Sequence, residues 1–181
     1  MQRIAIVGNS GSGKSTLARR LADGLGLEHL ELDAVFHQPG WQPLPEDEFR
    51  ERVAVVVARE SWVCDGNYGA VRDLVWARAD TIVWLDLPRR TVTPRVVRRT
   101  MGRMVTRREL WNGNREEWRN LLTLDPERNI VMWSVTQHAA HRVKYRERLV
   151  HDPPADVEVV HLRSRRAVRR WRDGALRPAG C

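Results

Sequence analysis

The stretch that decides the fold is Gly8-Asn9-Ser10-Gly11-Ser12-Gly13-Lys14-Ser15. It fits the pattern G-x-x-x-x-G-K-[ST], in which glycines allow consecutive backbone N–H groups to curl around an anion. An apolar run over residues 3–7 precedes it, and residues 14–25 follow with apolar side chains at helical spacing. Because a helix N-terminus adds the positive end of its dipole to such a loop, the stretch predicts a site for phosphate groups.

The same pattern assigns roles within the loop. Lys14 is expected to reach the β- and γ-phosphates of ATP, and the Ser15 hydroxyl is expected to bind Mg²⁺. Lys14 is one of only two lysines in a chain that otherwise uses arginine, which fits the need for a compact charge inside the cradle. The residues predicted to bind ATP are Gly8, Asn9, Ser10, Gly11, Ser12, Gly13, Lys14, Ser15 and Thr16.

Around the loop, short apolar runs alternate with helical patterns. Strands are predicted over residues 3–7, 28–32, 61–65, 81–87 and 157–162, and helices over 14–25, 46–59 and 164–173. Alternation of this kind calls for parallel strands joined by right-handed crossovers. The sequence therefore predicts an α/β protein whose five-stranded parallel sheet is flanked by helices, in one domain over residues 1–173 with a flexible tail over 174–181.

Positive charge is concentrated in two segments. The net charge is +8, 29 of the 31 basic residues are arginine, and residues 89–119 alone hold ten arginines against three glutamates. A second cluster of seven arginines lies within residues 161–181. Arginine forms forked bonds to phosphate, so the clusters are compatible with phosphorylated small molecules, with nucleic acid or with a solvated face.

The connection between the fourth and fifth strands, about residues 89–150, is too long for a simple crossover. We expect a helical, arginine-rich lid within it, over about residues 95–125. Arg95 and Arg99 lie four apart on a predicted helix, so they share one face and are expected to stabilise the charge of a transferred phosphoryl group. Each arginine taken alone is equally well explained by a solvated helix face.

Two aspartates end neighbouring predicted strands, and the carboxyl ends of parallel strands meet at one edge of a sheet. Asp65 ends a strand in Trp-Val-Cys-Asp-Gly and is predicted to hold Mg²⁺ or its waters, with a plain turn aspartate as the alternative. Asp33 is predicted to orient or deprotonate an acceptor hydroxyl, with a helix or turn cap as the alternative. Phe36, His37 and Trp41 follow in a loop where a flat acceptor could stack, although packing is the simpler role for the two aromatic residues.

No apolar run approaches the length of a membrane helix, and the first apolar run is shorter than a signal peptide requires. The two cysteines, Cys64 and Cys181, are too few and too far apart to indicate a disulfide framework or a metal site. We therefore expect a cytoplasmic protein that does not bind membranes and that is a monomer or a homodimer.

The residues after the loop resemble those of small P-loop kinases. Glu31-Leu-Asp33 resembles the Asp-x-Asp with which shikimate kinases hold the acceptor and a metal water, and Asp65-Gly resembles the Asp-Gly of adenylate kinases. Leu85-Asp-Leu-Pro88, followed by Arg95 and Arg99, resembles the pattern that opens an adenylate kinase lid. The combination of Leu32-Asp33, Pro39-Gly-Trp41 and Asp65-Gly-Asn-Tyr-Gly69 is most similar to bacterial adenylate-kinase-like P-loop proteins, often labelled topology modulation proteins. The resemblance covers about residues 1–110 well and extends more loosely to residue 173.

This resemblance implies an ATP- and Mg²⁺-dependent kinase that moves the γ-phosphoryl group to a small acceptor, such as a nucleoside monophosphate or another small metabolite. The GTPase motif Asn-Lys-x-Asp and the transporter motif Leu-Ser-Gly-Gly-Gln are both missing from the chain. In adenylate kinases the Asp-Gly motif continues with Phe-Pro-Arg, and this arginine binds the acceptor phosphate. In this chain Asn67-Tyr68 follow the Asp-Gly instead.

A second hypothesis is a regulatory protein that is associated with nucleic acid and switched by nucleotide binding. The basic surplus would give such a protein a strongly salt-dependent affinity for phosphate backbones. No helix-turn-helix or other recognised nucleic-acid module is visible in the sequence. ATP and a small-molecule acceptor are therefore the expected partners, and nucleic acid is not.

Overall fold

A computed structural model of the chain describes residues 1–116 and 130–177. Its sheet is built from β1 (Arg3–Gly8), β2 (Glu28–Glu31), β3 (Trp62–Asp65), β4 (Thr81–Leu85) and β5 (Glu158–Leu162). The strands pair in parallel in the order β2-β3-β1-β4-β5. This confirms the five-stranded parallel sheet that the sequence predicts.

Helices connect the strands and cover both faces of the sheet. The α-helices of the described residues are α1 (Lys14–Leu25), α2 (Leu32–Phe36), α3 (Glu46–Val57), α4 (Arg72–Arg78), α5 (Arg89–Val105), α6 (Ile130–Arg146) and α7 (Arg165–Ala175). Short helical turns lie at Pro39–Trp41, Gly69–Val71, Trp111–Gly113 and Glu147–His151. The sequence prediction contains neither α2 nor α4.

The side chains of the strands divide into two apolar cores, one on each face of the sheet. Ala5 and Val7 of β1 face the core built with α3, α4 and α6, whereas Ile4 and Ile6 face the core built with α1 and α7. All four are almost fully buried. Because β1 is covered on both faces, its sequence is a continuous apolar run and does not alternate between apolar and polar residues.

Several predicted boundaries differ from the structure by one or two residues, and the one at the end of β2 concerns a candidate site residue. β2 ends at Glu31, so Asp33 does not end a strand but lies in the first turn of α2. The chain turns here because Leu32 is buried in the space that Gly66 leaves by having no side chain, and the His37 N–H donates to the Asp33 carbonyl oxygen at 3.1 Å. Helix α2 begins directly after β2, so Asp33 still lies at the carboxyl edge of the sheet.

Two predicted segments extend beyond the described residues. The lid predicted over about residues 95–125 can be followed to residue 116, and its residues 117–125 lie outside the described part. Of the tail predicted over residues 174–181, Gly174 and Ala175 belong to α7, Leu176 packs against Gly24 of α1, and residues 178–181 lie outside the described part. Within residues 1–116 and 130–177, no helix is both long and apolar enough to cross a membrane.

Helix α5 packs directly against the loop between β1 and α1. A Cβ atom on Gly11 would lie 2.6 Å from the Val92 carbonyl oxygen and 2.7 Å from Val96 Cγ2, and both valines are fully buried. Gly11 also has a φ of +77°, in the left-handed region that favours glycine. The packing of α5 therefore requires glycine at a position that the loop pattern itself leaves open.

We expect Gly11→Ala to lower the free energy of unfolding by about 1 to 3 kcal/mol more than Gly13→Ala does. Both glycines have a positive φ, but a Cβ on Gly13 would meet no atom within 4 Å. The matched pair therefore separates the steric clash with α5 from backbone strain. Urea unfolding of the two variants measures the difference, and equal destabilisation would show that α5 does not press on the loop.

Candidate active site

The loop between β1 and α1 holds its lysine inward. Lys14 Nζ donates to the Gly8 carbonyl oxygen at 2.8 Å and to the Asn9 carbonyl oxygen at 3.4 Å. Burial lowers the pKa of Lys14, and the nearby carboxylates of Asp33 and Asp65 oppose that shift because they favour the charged form. The two predicted carboxylates and the predicted lysine therefore lie within electrostatic reach of one another.

The other predicted phosphate-binding residues surround this lysine along the loop and the first turn of α1. Asn9 and Ser12 are buried, and the Ser12 N–H donates to the Asn9 carbonyl oxygen at 3.1 Å, which closes the turn of the loop. Thr16 is exposed in the first turn of α1. The loop therefore closes on itself directly before the N-terminus of α1, the arrangement in which backbone N–H groups bind anions.

Asp65 is the most buried carboxylate of the loop region, with 2% of the residue exposed. The Ser15 hydroxyl donates to Asp65 Oδ2 at 2.6 Å, and His29 Nε2 lies 2.7 Å from Asp65 Oδ1. Both oxygens of the carboxylate are therefore engaged. The structure brings the two predicted metal residues together and adds His29, which the sequence analysis missed.

Ser15 and Asp65 fit a Mg²⁺ ion by the chemistry of their donors. Mg²⁺ prefers hard oxygen ligands, and it usually takes only one or two from the protein and the rest from waters and phosphates. Within the described parts of the chain, no group of three or more His, Cys, Asp or Glu side chains is placed to hold a metal ion. The Ser15 hydroxyl and the Asp65 carboxylate beside the loop therefore match the small number of protein ligands that Mg²⁺ usually takes.

Asn67 links the chain after β3 to the start of the loop. Its Nδ2 donates to the Gly8 carbonyl oxygen at 2.7 Å, and its Oδ1 accepts from the Gly8 N–H at 3.2 Å. The Tyr145 hydroxyl of α6 donates to the same Oδ1 at 3.1 Å. Asn67 thus fixes the first residue of the loop, a role that the sequence analysis did not assign.

Asp33 belongs to a second polar cluster, which also lies near Lys14. The Tyr68 hydroxyl donates to Asp33 Oδ1 at 2.7 Å and lies 3.3 Å from His37 Nε2. Burial, together with the charge of Asp33, raises the pKa of Tyr68, so its phenol stays protonated. Burial also lowers the pKa of His37. The Asp33 carboxylate therefore accepts a hydrogen bond from the neutral Tyr68 hydroxyl.

The aromatic residues after Asp33 form part of an enclosure. Phe36 is the last residue of α2 rather than a loop residue, and its ring packs on Phe49 and Tyr68. The ring of His37 stacks on Trp111 with centroids 5.8 Å apart, and Trp41 contacts His37 edge-on. Packing therefore accounts for Phe36, whereas His37 lies between rings from two separate segments.

Residues 111–115 cover this side of the site. Asn114 is buried, donates from Nδ2 to the Gln38 carbonyl oxygen at 2.9 Å and accepts the Trp41 N–H at Oδ1 at 2.8 Å. Asn112 donates to the Ala34 carbonyl oxygen at 3.2 Å. These bonds join the segment after α5 to the turn after α2, so residues 111–115 form a roof over that turn.

The predicted lid arginines lie on the phosphate loop. Arg95 reaches the carbonyl oxygens of Gly11 and Ser12 at 3.4 and 3.5 Å, and Arg99 donates to Ser10 Oγ at 3.1 Å. Their spacing on one face of α5 makes both contacts possible. Arg103, one turn further on, is paired with Glu116 at 2.9 Å. Arg95 and Arg99 are therefore next to the loop, and their role toward phosphate stays a prediction.

No profile of a known protein family matches the chain. Among curated proteins, it is 37% identical to a shikimate kinase of Halorhodospira halophila over 102 residues, which are 48% of this chain and 57% of that protein. It is 48% identical to a bifunctional pantoate ligase/cytidylate kinase of Synechocystis sp. over 50 residues, 25% of this chain and 10% of that protein. The chain thus spans little more than half of one relative and a tenth of the other.

Solved kinase structures share the fold over nearly the whole chain. A shikimate kinase from Acinetobacter baumannii in complex with shikimate has a TM-score of 0.58 at 22% identity, covering 97% of this chain and 91% of that one. A gluconokinase from Sinorhizobium meliloti has a TM-score of 0.52 at 19% identity, covering 97% and 89%. These similarities show that the chain shares the fold of these solved kinases, in agreement with the loop motif and the strand order.

Proposed function

We propose that the protein is an ATP- and Mg²⁺-dependent phosphotransferase that moves the γ-phosphoryl group of ATP to a hydroxyl of a small metabolite. The observation that carries this proposal is that Lys14 lies near two carboxylates that have different hydrogen-bond partners. Asp65 is bonded to Ser15 at the start of α1, and Asp33 is bonded to Tyr68. The first pair suits a metal–phosphate complex, and the second suits an acceptor hydroxyl.

On the phosphate side, the chain supplies positive charge and oriented donors. The ammonium of Lys14 would exchange its bonds with loop carbonyl oxygens for bonds to the β- and γ-phosphates. Arg95 and Arg99 lie on the same loop and would stabilise the charge that spreads over the transferred group. Little covalent chemistry is needed from the protein, because phosphoryl transfer depends mainly on positioning and electrostatics.

The residues that would hold Mg²⁺ are Ser15, through its hydroxyl, and Asp65, directly or through water. The ion would supply neutralisation of phosphate charge during transfer. The protein's own part is to keep Asp65 buried and bonded to Ser15 at the start of α1.

On the acceptor side, the arrangement supports a hydroxyl rather than a phosphate as the group that is phosphorylated. A carboxylate at Asp33 accepts a proton from an alcohol, whereas it repels the anionic phosphate of a nucleoside monophosphate. Tyr68 holds one carboxylate oxygen, which leaves Asp33 Oδ2 for the acceptor. The similarity to a shikimate kinase over 102 residues, against 50 residues for the cytidylate kinase, supports the same choice.

A coupled assay of ADP formation over a panel of small alcohols, sugars, hydroxy acids and nucleoside monophosphates tests the proposal. We expect acceptor-dependent ADP formation with at least one alcohol and none with the nucleoside monophosphates. The protein must first be shown to bind ATP. If it binds ATP but forms no ADP above background with any acceptor, the proposed phosphotransfer is wrong.

Replacing Lys14 with alanine is expected to lower kcat by about 10² to 10³, because the phosphates lose the cation inside their cradle. Lys144→Ala is the matched control, since Lys144 is the other lysine of the chain and is exposed on α6. Steady-state kinetics of both variants with the acceptor from the panel make the comparison. An unchanged kcat in Lys14→Ala would remove the loop from the mechanism.

Replacing Asp33 and replacing Asp65 are expected to have different effects on phosphoryl transfer and on ATP hydrolysis. Asp33→Asn should reduce transfer to the acceptor by about 10² to 10⁴, the usual contribution of a general base, while leaving the slow hydrolysis of ATP by water intact. Asp65→Asn should reduce both reactions and raise the Mg²⁺ concentration that half-saturates them. Parallel assays with and without acceptor measure the two rates, and a proportional loss of both rates in both variants would contradict the division of roles.

A further inference from the structure

His29 is the part of the Asp65 cluster that the proposed function does not use. It lies on β2, at the edge of the sheet, and its side chain is 17% exposed against 2% for Asp65. Its Nε2 lies 2.7 Å from Asp65 Oδ1, while Ser15 donates to Asp65 Oδ2 at 2.6 Å. The three side chains form a continuous chain of hydrogen bonds from the edge strand to the start of α1.

The strand register explains why His29 can reach this carboxylate. β2 and β3 pair with His29 opposite Val63 and Glu31 opposite Asp65, so His29 and Asp65 point to the same face of the sheet. That face is the one covered by α1, because Val63 packs in the core with α1. A diagonal neighbour across two strands is within reach of a long side chain. The contact is therefore fixed by the sheet and does not depend on a loop.

We propose that His29 is a positioning residue for the Mg²⁺ site: it holds the Asp65 carboxylate so that Asp65 in turn sets the direction of the Ser15 hydroxyl. The inference rests on the proposed Mg²⁺·ATP site. A hydroxyl can give its proton to a carboxylate and keep its lone pairs for a cation. As long as Asp65 accepts that proton, the lone pairs of Ser15 stay directed away from β3.

Without His29, Asp65 Oδ1 would lose its described hydrogen-bond partner in a buried position, and the carboxylate could turn about its own bond. Such turning changes which oxygen faces Ser15 and hence the direction of the Ser15 lone pairs. Outer-shell hydrogen bonds of this kind are typically worth about 10- to 100-fold in metal affinity. The expected consequence of removing His29 is a weaker metal-dependent part of nucleotide binding, with nucleotide binding in the absence of metal unchanged.

The test measures the affinity of the protein for ADP with saturating Mg²⁺ and again with EDTA. The ratio of the two affinities is the gain due to the metal, and the measurement needs no acceptor and no turnover. We expect His29→Leu to reduce this gain by about tenfold or more. His29→Gln keeps an N–H donor at a similar distance from the backbone and is expected to restore most of the gain.

His161→Leu is the matched control. His161 also lies on a strand and contacts a buried aspartate, with its Nε2 3.0 Å from Asp86 Oδ2, but neither residue contacts Ser15. We expect this variant to lose stability while its metal-dependent gain stays at the wild-type value. An equal reduction in His161→Leu would show that the effect is general loosening of the fold, and the role of His29 would be overturned.

The remaining outcomes separate this inference from the proposed function. If the wild-type protein shows no gain in ADP affinity with Mg²⁺, the metal site itself is wrong, and the proposed function fails with it. If the wild type shows the gain and folded His29→Leu keeps it, only the role of His29 is overturned. Should His29→Leu fail to fold, the comparison of His29→Gln with His29→Asn decides, because Asn is too short to reach Asp65 and is expected to lose the gain.

Discussion

The hydrogen bond between Ser15 and Asp65 is the contact on which the arrangement of the site depends. It joins two residues 50 positions apart, and it can form only because β3 is the neighbour of β1, with Ile6 opposite Asp65. Beyond Ile6, β1 runs into the glycine loop, and α1 returns over the face to which Asp65 points. Without β3 beside β1, Asp65 would not lie next to the first turn of α1.

Sequence patterns were sufficient for the loop and the sheet, for a physical reason. The loop is a local motif, and the strands are short apolar runs buried on both faces, so each can be read without knowledge of the rest of the chain. Helix α2 has only five residues, which are too few to show a helical period. The apolar Leu32 was therefore interpreted as the last residue of the second strand. The prediction that Asp33 ends a strand followed from this missing signal.

Contacts between residues that are far apart in the chain could not be predicted from the sequence. Tyr68 meets Asp33 across 35 positions, Tyr145 meets Asn67 across 78, and Asn114 meets Gln38 across 76. None of these pairs has a local pattern, because the fold alone brings the partners together. His29 is different: once β2 and β3 are taken as neighbours, strand alternation puts it on the same face as Asp65. Predicting that contact therefore requires the residue register between β2 and β3 as well as the strand order.

Helix α5 connects the two halves of the site. Near its start, Val92 and Val96 press on Gly11, so this part of the helix cannot shift without moving the phosphate loop. At its other end, Arg103 is paired with Glu116, beside the roof formed by residues 111–115. The roof is attached to the turn after α2 through the side chains of Asn112 and Asn114 and through stacking of Trp111 on His37. Arg95 and Arg99, which contact the glycine loop, are thus carried by the same helix that leads to the roof.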